Sequence, residues 1–287
     1  MTTISAVTLV VPNLAETLRV YQAFGYPLLA EGSLSHNDVA VQHDSRLHHC
    51  AYATLGLNAG STQSIELVEY PDCIRCAPFA RPGWAAMELL VSDLDVVHQR
   101  VIDLDLTVWG EPQALSFTDH IKAMQVLGPA GELIYFTEQL AAVDAWPLPQ
   151  VSSLFDQCFV AVLCSHQIEV SARFYATLLG RSVPAVIKSR VLGLSKLGRF
   201  SPDTLHPISA IPLGHGHWLE LDQGPTTDVP SYGDILAGVF SVSIRGQHLG
   251  EGLKGLEAGI ELGVTDACRL LVGPSGERMN WYPTLGV

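Results

Sequence analysis

The sequence predicts an α+β protein of four βαβββ modules, two in each half of a 287-residue chain. Three observations lead there. The halves begin alike: residues Ile4–Leu14 read as a strand running into a turn, and Phe159–Cys164 as its counterpart. Each strand is followed by a short helical stretch with a tyrosine and a closing glycine, Ala15–Gly25 and Glu169–Gly180, with Tyr21 and Tyr175 in matching places. Glycine suits the left-handed backbone that ends a helix. The halves also end alike, Leu127-Gly-Pro-Ala-Gly-Glu132 against Val272-Gly-Pro-Ser-Gly-Glu277. Gly-Pro-x-Gly between alternating runs marks a hairpin turn, because proline presets φ and glycine takes up positive φ.

The remaining elements follow in chain order. Alternating runs at Val39–Gln42, His49–Leu55 and Ser64–Tyr70 read as strands of the first module. A second strand–helix start lies at Ala85–Leu94 and Asp95–Leu104. In the second half, Ile208–Leu213 and His217–Asp222 read as strands. Gly238–Arg245 then opens the fourth module, with a weak helix expected over Gln247–Leu256. Between the halves, Trp146-Pro-Leu-Pro149 has the stiffness of a linker. The division is therefore residues 1–142 (modules one and two), a linker at 143–152, and residues 153–287 (modules three and four).

Composition narrows the class. Hydrophobic residues make up 48% and charged residues 16% of the chain, enough apolar material for two cores and against disorder. The formal net charge of −13 leaves no basic stripe for a nucleic-acid backbone. A membrane helix needs about 20 apolar residues, and no run approaches that. With no leader-like N-terminus and six cysteines in apolar contexts, the expectation is a cytoplasmic protein with reduced thiols. The low charge content is compatible with a homodimer.

The pattern of strand, Pro-Asn-Leu14, helix with Tyr21 and Gly25, followed by Gly-Pro-x-Gly-Glu and a strand, resembles the vicinal oxygen chelate superfamily. That superfamily holds glyoxalase I, extradiol ring-cleaving dioxygenases, and fosfomycin- and bleomycin-resistance proteins. The resemblance covers essentially the whole chain. It implies that modules pair their curved sheets into two incomplete β-barrels around central pockets, in the two-domain layout of the extradiol enzymes.

The resemblance also says where metal ligands would stand. Counting back seven residues from Asn13 and Asp93 gives Ala6 and Ala86. The glutamate place after Gly131 is Tyr135, and the second half offers Val160, Phe240 and Asn280. None of these is a histidine or a carboxylate. No metal site and no cofactor is expected. A glutamate that glyoxalases use on the last strand of a module survives twice, as Glu66 and Glu220.

Because strand side chains alternate faces, Glu66 should lie opposite Ile65 and Leu67, and Glu88 should share the inward face of Ala86. Glu66 and Glu88 are thus the expected acid/base pair, with their pKa values pushed apart in a water-poor barrel. Tyr135 and His49 would orient or polarise a carbonyl. Arg46-Leu-His-His-Cys-Ala-Tyr52 is similar to the extradiol Arg-x-His-His stretch, where the later histidine moves protons. Trp218, Glu220, Phe240 and Asn280 are expected to line the binding wall. His215 and His217 would share one strand face, a spacing that can chelate a metal, while Glu220 faces away. Cys73-Ile-Arg-Cys76 has no second pair to complete a zinc set.

The resulting expectation is a metal-independent glyoxalase-like enzyme. It would perform acid/base proton transfer, of lyase or isomerase type, on a small, partly apolar or aromatic molecule. The alternatives are a non-catalytic small-molecule binding or resistance protein, and an extradiol-type dioxygenase with an atypical metal site.

Overall fold

The computed structural model describes residues 2–57, 63–224, 234–246, 260–264 and 268–284. The first module comprises β1 (Thr3–Val11), α1 (Leu14–Ala23), β2 (Leu28–Ser33), α2 (Val39–His43), β3 (Ala51–Gly56) and β4 (Ser64–Glu69). The second comprises β5 (Gly83–Val91), α3 (Leu94–Asp103), β6 (Thr107–Leu115), β7 (Thr118–Leu127) and β8 (Leu133–Gln139). The third comprises β9 (Phe155–Ser165), α4 (Ile168–Leu178), β10 (Ile187–Arg190), α5 (Leu192–Leu197), β11 (Leu205–Gly214) and β12 (His217–Gln223). The fourth contributes β13 (Gly238–Gly246), β14 (Ile260–Val264), β15 (Arg269–Val272) and β16 (Arg278–Pro283). The helix expected at Gln247–Leu256 lies outside the described residues. No helix among the described residues is long and apolar enough to cross a membrane.

The strands form two eight-stranded sheets. Sheet one runs β14-β15-β16-β13-β1-β4-β3-β2 and sheet two runs β10-β11-β12-β9-β5-β8-β7-β6. Each is two modules joined by antiparallel pairing of their first strands, β1 with β13 and β5 with β9. Within each module the first strand lies parallel to the last, as β1 does to β4. The expected pairing of consecutive modules is thereby corrected. Module one pairs with module four, and module two with module three. The first strand of every module presents the same kind of free edge, so the repeat itself does not choose partners. After β4 the chain crosses to start the other sheet.

Interior contacts follow from strand alternation. Val7, Leu9, Ile65, Leu67, Met87, Leu89, Ala161 and Leu163 face the helices and merge with Tyr21, Val97 and Tyr175 into one core shared by both sheets. The helices start where side chains cap them. Asn13 accepts from the Glu16 amide and Asp93 from that of Val96, contacts worth about 1 kcal/mol each.

The Gly-Pro-x-Gly-Glu turns also have a physical reason. Gly131 and Gly276 sit at φ of 89° and 80°, and a Cβ on Gly128 or Gly273 would strike the carboxyl of Glu132 or Glu277. Each glutamate folds back on its own turn, accepting from the amide of Ala130 or Ser275.

Two local expectations are corrected. Val39–Gln42 belongs to the short helix α2, with Ala40 and Val41 buried. A four-residue apolar run carries too little periodicity to separate the two states, and Asp38 accepts from the amide and hydroxyl of Ser35, turning the chain just before it. His215 stands in the turn after β11 at φ of 52°, not on a strand face with His217.

Candidate functional site

The faces of the sheets turned away from the shared core form two cups of different chemistry. In sheet two, Ala86, Leu90, Leu133, Tyr135, Val160, Val162 and Cys164 share one face. Glu88 stands between Ala86 and Leu90 in parity, opposite Val160 on β9 and beside Tyr135 on β8. Glu220 and Asp222 occupy the same face of β12, next to Val162 and Cys164, while Leu219 and Leu221 face the shared core. Three carboxyls and a phenol therefore stand in one largely apolar cup.

Their surroundings set their proton affinities. Burial raises Glu88 to about 8, and the neighbouring Glu220 carboxyl pushes in the same direction. Against this, Thr137 donates a hydrogen bond to Glu88 Oε1. Burial raises Glu220 to about 7. Asp222 is pushed well above the usual carboxylate range by burial and by Glu220. Burial, Asp222, Glu220 and Glu88 all raise the Tyr135 phenol, which stays protonated. Glu88 and Glu220 keep some solvent exposure, whereas Asp222 is fully enclosed. Among the described residues neither oxygen of Asp222 has a hydrogen-bond partner, and Gln125 Oε1 and Trp109 Nε1 are likewise unpartnered. The cup is covered by Phe79, by Leu148 of the linker, and by Val191 and Leu194 at α5. Trp146 lies flat on Trp218, with ring centroids 4.3 Å apart and planes at 2°.

The cup of sheet one is lined by hydroxyls and amides. Thr8 donates to Glu66 Oε2 at 2.9 Å, and burial raises the Glu66 carboxyl. Asn280 donates to Ser243 Oγ at 3.0 Å and to Ser241 Oγ at 3.4 Å, while its Oδ1 meets His43 Nε2 at 2.6 Å. Burial lowers His43 to about 4, so at neutral pH its ring is uncharged and donates to Asn280 through Nε2. Phe240 is buried beneath the Arg278 guanidinium, 4.3 Å from the ring centre.

The expected site residues thus divide. Glu88, Tyr135, Trp218 and Glu220 come together in sheet two. Glu66, Phe240 and Asn280 belong to sheet one. The expected pairing of Glu66 with Glu88 is replaced by Glu88 with Glu220, because modules one and two lie in different sheets. His49 joins neither cup. It is exposed at φ of 69°, and its ring lies tilted at 37° against that of His48, which in turn stacks on His36. Asp222 and His43 went unnoticed in the sequence. Asp222 carried a usable signal, since Trp218, Glu220 and Asp222 alternate along one strand. His43 carried none, because the short apolar run before it does not separate helix from strand. A cavity of about 110 Å³ lies at the seam between the sheets, lined in part by Arg81, Trp84, Asp234 and Arg278.

Sheet one offers one carboxyl, Glu66, and one imidazole, His43, among alcohols and amides, and sheet two offers the three carboxyls Glu88, Glu220 and Asp222. Among the described residues no group of three or more His, Cys, Asp or Glu side chains could hold a metal ion.

No family model matches the sequence, and no curated protein matches it. Solved structures do match. A glyoxalase I mutant from Zea mays superposes with a TM-score of 0.63 at 16% identity, covering 98% of this chain and 94% of that one. A putative dioxygenase from Bacillus subtilis gives 0.60 at 12% identity over 98% and 86% of the two chains. The cppA protein from Streptococcus pneumoniae gives 0.54 at 11% identity over 98% and 99%. Together with the four βαβββ modules and the two incomplete barrels they build, these likenesses show that the chain shares the overall fold of the maize glyoxalase I structure.

Proposed function

We propose that the cup of sheet two carries out proton transfer on a small, partly apolar organic molecule, with Glu88 and Glu220 as its acid/base pair. The observation that carries this reading is the pair itself. Two carboxyls share one partly accessible apolar face, each held near neutral pKa by burial. Carboxyls whose environments bring them near the working pH are suited to both taking and giving a proton. In the proposed step Glu220, ionised, removes a proton from a carbon next to a carbonyl. Glu88, protonated, gives its proton to the developing oxyanion, and the Tyr135 hydroxyl donates a hydrogen bond there. Return of a proton to a different carbon gives an isomerase, and loss of a leaving group gives a lyase. The fold shared with a glyoxalase I is consistent with this chemistry.

The test is proton–deuterium exchange. Small aryl ketones and hydroxyketones are incubated with the protein in D2O and followed by NMR. Wild-type protein should exchange the α-hydrogen of at least one compound, and Glu220→Gln and Glu88→Gln should each lose at least about a hundredfold. Exchange that survives both substitutions in folded protein would refute the assignment.

A second reading, sequestration of a small molecule without turnover, draws on Trp146 stacked against Trp218. The same two rings could close on a planar guest. Recovery of a bound compound chemically intact, with no exchange, would favour it.

A further inference from the structure

The sheet-two cup holds three carboxyls, Glu88, Glu220 and Asp222, and no ion pair among the described residues reaches any of them. The basic groups that pack over this face are engaged elsewhere. Lys196 on α5 donates to the carbonyl of Trp109 and lies over its ring. His206 on β11 meets the hydroxyl of Ser195 at 2.8 Å. The other polar groups on the floor include the Tyr135 phenol, the Thr137 hydroxyl, which donates to Glu88, the Gln125 amide, and the Cys164 thiol, which is turned to the carbonyl of Phe79. Asp222 is fully buried, faces the cup beside Cys164, and has no hydrogen-bond partner on either oxygen among the described residues. A buried acceptor left in that state is costly, and a guest that brings donors relieves it.

We infer that this cup takes an organic cation, a small amine or amidine with an apolar or aromatic body. Asp222 and Glu220 would meet the cationic head, and Tyr135 and Trp218 would lie against the body. Cations are also attracted to such aromatic faces. The inference rests on the reading of the sheet-two cup as the functional site and adds the class of its substrate. A neutral guest of the same shape leaves the ionised Glu220 without a counter-charge. An anionic guest brings a charge of the same sign beside the ionised Glu220.

Calorimetric titration of the full chain with benzylammonium, benzyl alcohol and benzoate, three probes of one shape and different charge, tests this. Benzylammonium is expected to bind saturably and at least about tenfold more tightly than benzyl alcohol, with no binding of benzoate. Asp222→Asn should weaken benzylammonium about tenfold and leave benzyl alcohol unchanged, and Glu220→Gln should act in the same direction. Circular dichroism confirms that each variant is folded. Equal binding of the alcohol or the benzoate, no saturable binding of benzylammonium, or folded variants that bind it like wild type would each overturn the inference. The titration needs no turnover, so failure of the exchange experiment leaves it standing. Failure of the charge series likewise leaves the proton-transfer reading intact.

Discussion

The phenol of Tyr21 donates to the carboxyl of Glu132 across 2.8 Å, joining the first helix of module one to the last turn of module two. Tyr175 and Glu277 repeat the bond at 2.7 Å between modules three and four. Sheet pairing links the modules one way, one with four and two with three. These phenol–carboxyl bonds link them the other way, so the two sheets are interlocked. Both carboxyls are buried and raised to about 7. Tyr21→Phe removes the donor and leaves Glu132 short of a partner, and should destabilise the fold by about 1–3 kcal/mol. Urea denaturation measures this, and an unchanged midpoint would show that the bond contributes nothing net.

Stability should fall as pH rises above neutrality. Glu88, Glu132, Glu220 and Glu277 have folded values of about 7 to 8, above their ordinary 4.5. The folded state therefore holds more protons than the unfolded chain, and the stability these groups contribute is lost as pH climbs through 7 and 8. His43 and His217 work in the opposite sense. Burial lowers each to about 4 from 6.5, so their contribution grows between those values and is complete above them. Above about pH 6.5 the carboxyls alone decide the slope. The urea midpoint should decline between pH 6.5 and 8.5, and Glu88→Gln should flatten that decline. A midpoint that rises over the interval would contradict it.

The linker is expected to act as a cover as well as a connection. Trp146 stacks on Trp218, and such a pair contributes about 0.5–1.5 kcal/mol beyond the area it buries. Trp146→Ala should therefore lower stability by at least that amount and leave Trp218 more open to solvent. Acrylamide quenching, with Trp218→Phe to identify the signal, reads the exposure. Unchanged quenching would mean that other groups close the cup.

The two cups should respond separately to mutation. Glu66 lies on sheet one, bonded to Thr8, whereas Glu88 and Glu220 lie on sheet two. Glu66→Gln should leave the α-hydrogen exchange rate within about twofold of wild type, while Glu220→Gln abolishes it. A large loss in Glu66→Gln, with folding intact, would place both cups in one reaction.

Much of this molecule was legible from its repeats. Matching tyrosines and matching Gly-Pro-x-Gly-Glu turns marked the modules, and the structure shows why they recur together, since each tyrosine bonds the glutamate of the next module. Alternation along a strand put Glu88 on the face of Ala86, where the structure also has it. What could not be read was which modules meet. Nothing in the first strand of a βαβββ unit names its partner, so Glu66 and Glu88 looked like neighbours and are not. His49 misled for a local reason. It sits in a left-handed turn at φ of 69° before β3 begins, where strand parity no longer says which way a side chain points.

The interlocking has a consequence for how such a chain arises. A polypeptide of half this length would supply one module to each of two sheets and complete neither, so it would have to borrow a second copy of itself twice over. Fusing the copies head to tail removes that dependence on concentration. It also frees the two cups from identity. One is free to accumulate acids and the other alcohols, as Glu88, Glu220 and Asp222 in one and Thr8, Ser241 and Ser243 in the other have done.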